Sequence, residues 1–288
     1  MFYVRPPVYA GRFYDLEPDR LKMQIEGCFN HSLGPKEKES KGESQSEKLV
    51  AVVAPHAGYM ASGPVHAWAI SRLPKANYII VGPNHSGFGS QFAIMKGGLW
   101  KTPLGGVAVS EKVADRIEAA CELVEHDVLP HQSENSIEVQ LPFLQYRFGN
   151  DFGFVPLCVL QDPPDDAFLE SCRVVGEAIA GTVKALKKDG ERWILIASSD
   201  FSHYIPQKRA VEIDKKVIGA ISKLDEKMFF HRVKDLQASV CGYGPIAMVM
   251  IAAKALGAKK AELLKYATSG DTTGDTTAVV GYASIAMM

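Results

Sequence analysis

The sequence predicts an α/β protein, a single domain whose central, mainly parallel or mixed sheet is flanked by helices. Three observations predict it. Short β-branched apolar runs recur without polar alternation, as strands buried on both faces require. Helical patterns separate those runs, as crossovers between parallel strands do. The composition, 47% hydrophobic over 288 residues with a formal net charge of −1, supplies a large core.

In chain order, a first helix is expected over 18–30. Residues 34–48 (GPKEKESKGESQSEK) are charged and nearly free of apolar side chains, and are expected to be a mobile surface loop within the domain. Strands follow at 49–54 (LVAVVA), 78–82 (YIIVG), 154–160 (FVPLCVL) and 193–198 (WILIAS), with a fifth at 278–287 (AVVGYASIAM). Between them helical patterns occupy 64–73, 110–120, 136–148, 165–188, 210–224 and 245–256. No second break in composition and no internal repeat interrupts the chain, so residues 1–288 read as one domain.

Several function classes are disfavoured. The balanced charge offers no basic face for nucleic acid and no polybasic membrane anchor. The first residues, MFYVRPPVYAGRFYD, lack the architecture of a signal peptide, and no apolar run reaches the roughly 18 residues that span a bilayer. Five scattered cysteines without a CxxC pair fit a reducing compartment, so a cytoplasmic location is expected. There is no GxxxxGK[ST] loop and no GxSxG elbow, which disfavours nucleotide hydrolysis and serine hydrolase chemistry.

The chemical signal lies at the strand ends. The first long strand runs into Pro55-His56-Ala57-Gly58-Tyr59, the second into Pro83-Asn84-His85-Ser86, and the fourth into Ser199-Asp200-Phe201-Ser202-His203. Ligands of open α/β sheets bind beyond the carboxyl ends of the strands, so three imidazoles and a carboxylate are delivered toward one rim. A lone histidine after a strand is ordinarily a hydrogen-bonded turn residue. Two at equivalent positions raise the metal reading, because neutral imidazole is the commonest metal ligand. Asp200 and His203 also fit a local turn in which the carboxylate accepts backbone N–H bonds.

A fourth element is Val240-Cys241-Gly242-Tyr243-Gly244-Pro245, a tight loop entering an apolar helix. A cysteine beside a helix N-terminus can act as a thiolate nucleophile or ligand, whereas Cys28, Cys121, Cys158 and Cys172 read as small buried hydrophobes. In His131-Gln132-Ser133-Glu134-Asn135-Ser136-Ile137-Glu138, Asn135 and Glu138 have the spacing of a capping box. Glu134 and His131, just upstream, are candidates for proton transfer or for supporting a ligand. SGDTTGDTT (269–277) reads as a turn, and His31, His66, His126 and His231 carry no such signal.

At these residues the sequence resembles the Memo family (mediator of ErbB2-driven cell motility), whose microbial members are also called AmmeMemoRadiSam system protein B. VYAGRFYD, APHAGY, VGPNH, ENSIEVQLPFL, SSDFSHY and VCGYGP occur in family order and cover nearly the whole chain. The resemblance implies a fold akin to class III extradiol dioxygenases of the LigB-like type. It places the family's metal-site histidines on His56 and His85 and its metal-site cysteine on Cys241, with Asp200 and His203 lining the pocket. The family's EHSIE segment reads ENSIE here, and the amide of Asn135 cannot shuttle a proton.

The chemistry this implies is that of a metal-dependent oxidoreductase. Two imidazoles and a thiolate favour iron or copper, with zinc possible, over magnesium or calcium. His203, Asp200 and Glu134 are then the candidate proton-transferring and orienting groups. Asp200 is an alternative anionic ligand, leaving Cys241 outside the set. A binding module that uses the same cleft for a peptide or partner protein is the competing class, with a zinc hydrolase a weaker one. The family label further implies partnership with radical-SAM and AMMECR1-like proteins in a modification system.

Overall fold

The parallel strands that the apolar runs predict lie side by side at the centre of the computed structural model, which describes residues 3–36 and 48–288. Most of the loop expected over 34–48 falls on residues 37–47, outside the described residues. In chain order the strands are β1 Val4–Arg5, β2 Ala51–Ala54, β3 Asn77–Pro83, β4 Phe92–Ile94, β5 Leu99–Thr102, β6 Gly105–Ala108, β7 Val124–His126, β8 Phe154–Val159, β9 Trp193–Ser198, β10 His203–Ile205, β11 Ala261–Thr268 and β12 Val279–Met287. The helices are α1 Pro18–Asn30, α2 Tyr59–Arg72, α3 Glu111–Ala120, α4 Asn135–Glu138, α5 Leu141–Phe148, α6 Asp166–Lys188, α7 Gln207–Ile221, α8 Glu226–Asp235, α9 Tyr243–Ala255 and α10 Ser269–Thr273.

Nine strands form a mixed sheet in the order β10-β12-β2-β9-β3-β8-β4-β7, with β11 also paired to β12. The central four, β2, β9, β3 and β8, are parallel. Alternation along them fills two cores. Val53, Val81, Leu157 and Ala197 point to the face covered by α3, α6, α7, α8 and α9, while Val52, Ile80, Cys158 and Ile196 point to that covered by α1, α2 and α5. Burial on both faces is why these strands read as continuous apolar runs. A separate three-stranded sheet, β1-β5-β6, holds the N-terminal segment against the main body.

Some elements differ from the sequence reading. The second helix starts at Tyr59 rather than 64, because Gly63 and Pro64 lie inside α2 instead of ahead of it. A Cβ at Gly63 would lie 2.3 Å from the Cys28 sulfur, so close packing of α1 on α2 requires glycine there. The helix expected over 136–148 is two helices, since Pro142 opens α5 within its first turn. The capping box read at Asn135 and Glu138 is not formed. Glu134 is the N-cap of α4, its carboxylate accepting from Ser136 N at 2.8 Å. A true capping box forms between Thr268 and Asp271, and it opens a short helix at the start of the segment that reads as a turn. Helix α8 and the short strands β4 to β7 had no sequence counterpart.

Candidate metal centre

The parallel register sets the site. Ala54 of β2 lies opposite Ser198 of β9, and Val81 of β3 opposite Ala197, so three strands end at nearly one level. Beyond them the loops place His56, His85 and Asp200 around one opening, and the turn before α9 adds Cys241 from above the sheet. Donor atoms of His56, His85 and Cys241 lie within 4.8 Å of one another, a group of three that could hold a metal ion. They border a cavity of about 440 Å³ lined also by Phe13, Asn135, Asp200, His203 and Tyr204.

The surrounding hydrogen bonds assign the tautomer of each imidazole. Ser198 Oγ donates to Ser136 O at 2.7 Å and accepts from Gln140 Nε2 at 2.9 Å. With its one proton committed, the hydroxyl can only accept from His56 Nδ1 at 3.0 Å, so Nδ1 carries the ring proton and Nε2 keeps its lone pair. His85 Nδ1 lies 2.8 Å from Glu134 Oε1. The Glu134 carboxyl is buried, which alone would raise its pKa, but bonds from His85 and Ser136 N outweigh that and lower it. As an ionised acceptor it takes the Nδ1 proton of His85, and again Nε2 is left free. Imidazoles that are held at one nitrogen and open at the other are the usual preparation for metal binding.

Electrostatics favour the neutral imidazole at His56, whereas at His85 they favour the protonated one, whose Nε2 proton a metal would have to displace. Burial, reinforced by His85, pushes the His56 pKa well below its ordinary value. For His85 burial lowers the pKa, but the hydrogen bond and charge of Glu134 prevail and raise it. The Cys241 thiol is pushed up by burial and by the Asp200 carboxylate, so a metal would have to displace its proton. Its sulfur lies 3.1 Å from His56 Nε2 and 3.2 Å from Asp200 N. Two imidazoles and one sulfur are a donor set that fits iron, copper or zinc.

Asp200 lies beside this group rather than in it. Its Oδ1 accepts from His56 N at 2.9 Å, and Oδ2 is 3.9 Å from His56 Nε2. His203 lines the cavity with Nδ1 against Ser239 O at 2.7 Å, a carbonyl that requires the ring to donate. Glu134 is fully buried behind His85 and supports that ring instead of lining the cavity. His131 is buried elsewhere, its Nε2 on Ala93 O at 3.1 Å. Asn135 donates from Nδ2 to His56 O at 3.2 Å, so the amide steadies the loop that carries the first imidazole.

Residues without a sequence signal complete the support. Ser198 ends an apolar run and Gln140 lies in a helix linker, yet Gln140 also donates to Pro55 O at 3.0 Å and so fixes the turn before His56. Arg5 and Glu138 form a fully buried ion pair. Arg5 donates from Nη2 to Glu134 O at 2.8 Å and packs 4.1 Å from the centre of the Trp100 ring.

A family model described as "Memo-like protein" matches residues 5–286. A MEMO1 family protein of Methanopyrus kandleri is 44% identical over 285 residues, 98% of each chain. One from Sulfolobus acidocaldarius is 43% identical over 291 residues, again 98% of each chain. Among solved structures, an uncharacterized protein of Escherichia coli K12 aligns with a TM-score of 0.53 at 16% identity, covering 83% of this chain and all of that one. That likeness concerns the fold alone. Among the described residues no helix is long and apolar enough to cross a membrane.

Proposed function

Because this chain belongs to the Memo-like protein family, we propose that it is a metal-dependent oxidoreductase holding iron or copper at His56, His85 and Cys241. The observation that carries the reading is the convergence of two Nε2 lone pairs and one sulfur, each imidazole pinned through Nδ1. The bound metal would supply one-electron redox chemistry toward dioxygen and a small organic substrate. Two imidazoles with one anionic donor parallel the ligand set of non-haem iron dioxygenases, with a thiolate in place of the carboxylate.

The remaining residues have separable roles under this reading. His203, donating Nδ1–H to Ser239 O, keeps Nε2 free to take a proton from a substrate in the cavity. Asp200 holds the backbone of His56 and so aims that ring. Asn135 occupies the cavity wall as an amide and transfers no proton. Chelation should abolish reductant-driven oxygen uptake, and iron(II) or copper added back should restore it. Oxygen uptake that survives chelation would contradict the reading.

A second reading, peptide binding in the same cleft, draws on Tyr204. It stands 78% exposed at the cavity wall with φ of 57°, a conformation that non-glycine residues seldom adopt. Stoichiometric uptake of a peptide that is indifferent to metal removal would favour it.

A further inference from the structure

Helix α9 begins immediately after Cys241 and has no side chain of its own to cap it, since its N-cap is Gly242. The glycine is required there. A Cβ would lie 2.5 Å from Ser198 O and 2.6 Å from Ser199 Cβ. The missing cap comes from the loop that follows β8. Gln161, two residues beyond β8, accepts from Gly244 N through Oε1 at 2.7 Å and donates from Nε2 to Cys241 O at 2.6 Å. One amide therefore satisfies a first-turn N–H and holds the carbonyl of the metal-site cysteine. The other side of the turn is held by Ser199 Oγ, which accepts from Gly242 N at 3.0 Å.

We propose that Gln161 is the positioning residue for the Cys241 sulfur, a cap supplied from a distant part of the same chain that holds the thiol against His56 Nε2 and Asp200 N. The role in metal binding rests on the function proposed above; the role in fixing the sulfur does not. An amide is needed because the two partners are opposite in kind, one a donor and one an acceptor. Glutamate at this position keeps the bond from Gly244 N and suits the positive end of the helix dipole, but it presents an acceptor to Cys241 O. The Gln161→Glu change therefore separates capping from sulfur placement, whereas Gln161→Ala removes both.

The test uses metal-free and cobalt(II)-loaded full-length protein. Alkylation of Cys241 by iodoacetamide, followed by mass spectrometry with Cys241→Ser as control, should be about tenfold faster in both Gln161 variants, the effect of losing about one hydrogen bond's worth of restraint. Gln161→Glu should do this with thermal stability close to wild type. Cobalt(II) in the wild type should give a sulfur-to-metal charge-transfer band, weakened in both variants. Unchanged alkylation rates in both variants would overturn the proposal. Faster alkylation in the variants without any such band in the wild type would uphold Gln161 as the clamp and remove the metal reading instead.

Discussion

Glu138→Ala should cost about 3–5 kcal/mol of folding stability, because it leaves the Arg5 guanidinium buried without its counter-charge. The carboxylate also accepts from Val8 N at 3.1 Å, Tyr9 N at 2.8 Å and the Tyr14 hydroxyl, so one side chain stitches the N-terminal segment to α4. For a chain of 288 residues the loss corresponds to a fall in melting temperature of about 5–8 °C. Arg5→Met in the same background should reduce the cost without abolishing it, since the backbone and Tyr14 donors stay unpaired. Urea denaturation checks this, and a loss under about 1 kcal/mol would contradict it. Since Arg5 also holds Glu134 O, the damage should extend to the support of His85.

His56→Ala should weaken metal binding by more than the about 10–100-fold that loss of an outer partner costs, because it removes a direct donor. The residue is also the meeting point of the site. Its Nε2 faces Cys241, its Nδ1 is held by Ser198, and its backbone N–H and C=O are held by Asp200 and Asn135. The fold should persist, because the strands on which the loop stands are buried on both faces and owe nothing to the ring. Competition with a chromophoric chelator, alongside circular dichroism, measures both effects. Retained affinity in a folded His56→Ala protein would exclude this residue as a ligand.

The parts of the fold that were legible in the sequence are those whose physics is local. Strands β3, β8 and β9 are buried on both faces and read as unbroken apolar runs, and α1 and α6 show clear periodicity. The short β4 to β7 carry too few residues for any period. The start of α2 was hidden because Gly58, Gly63 and Pro64 resemble a turn, although Gly63 is there to let Cys28 approach. At the site, His56, His85, Asp200, His203 and Cys241 were visible because each follows a strand or precedes a helix at an equivalent place. Ser198, Gln140, Gln161 and Arg5 were not. Their roles are hydrogen bonds across 58 to 142 residues of chain, and no local pattern encodes such partners. Glu138 has the local spacing of a cap, while its actual partners come from the N-terminal segment.

The most direct test of the central claim is elemental analysis of protein purified anaerobically, repeated on Cys241→Ser. Three donor atoms that lie within 4.8 Å in the wild type become two in the variant, with a hydroxyl where the sulfur stood. The account predicts iron or copper near one atom per wild-type chain and loss of most of it in Cys241→Ser. Wild-type protein that remains without metal after anaerobic purification and reconstitution, or a Cys241→Ser protein that holds metal equally well, would contradict it.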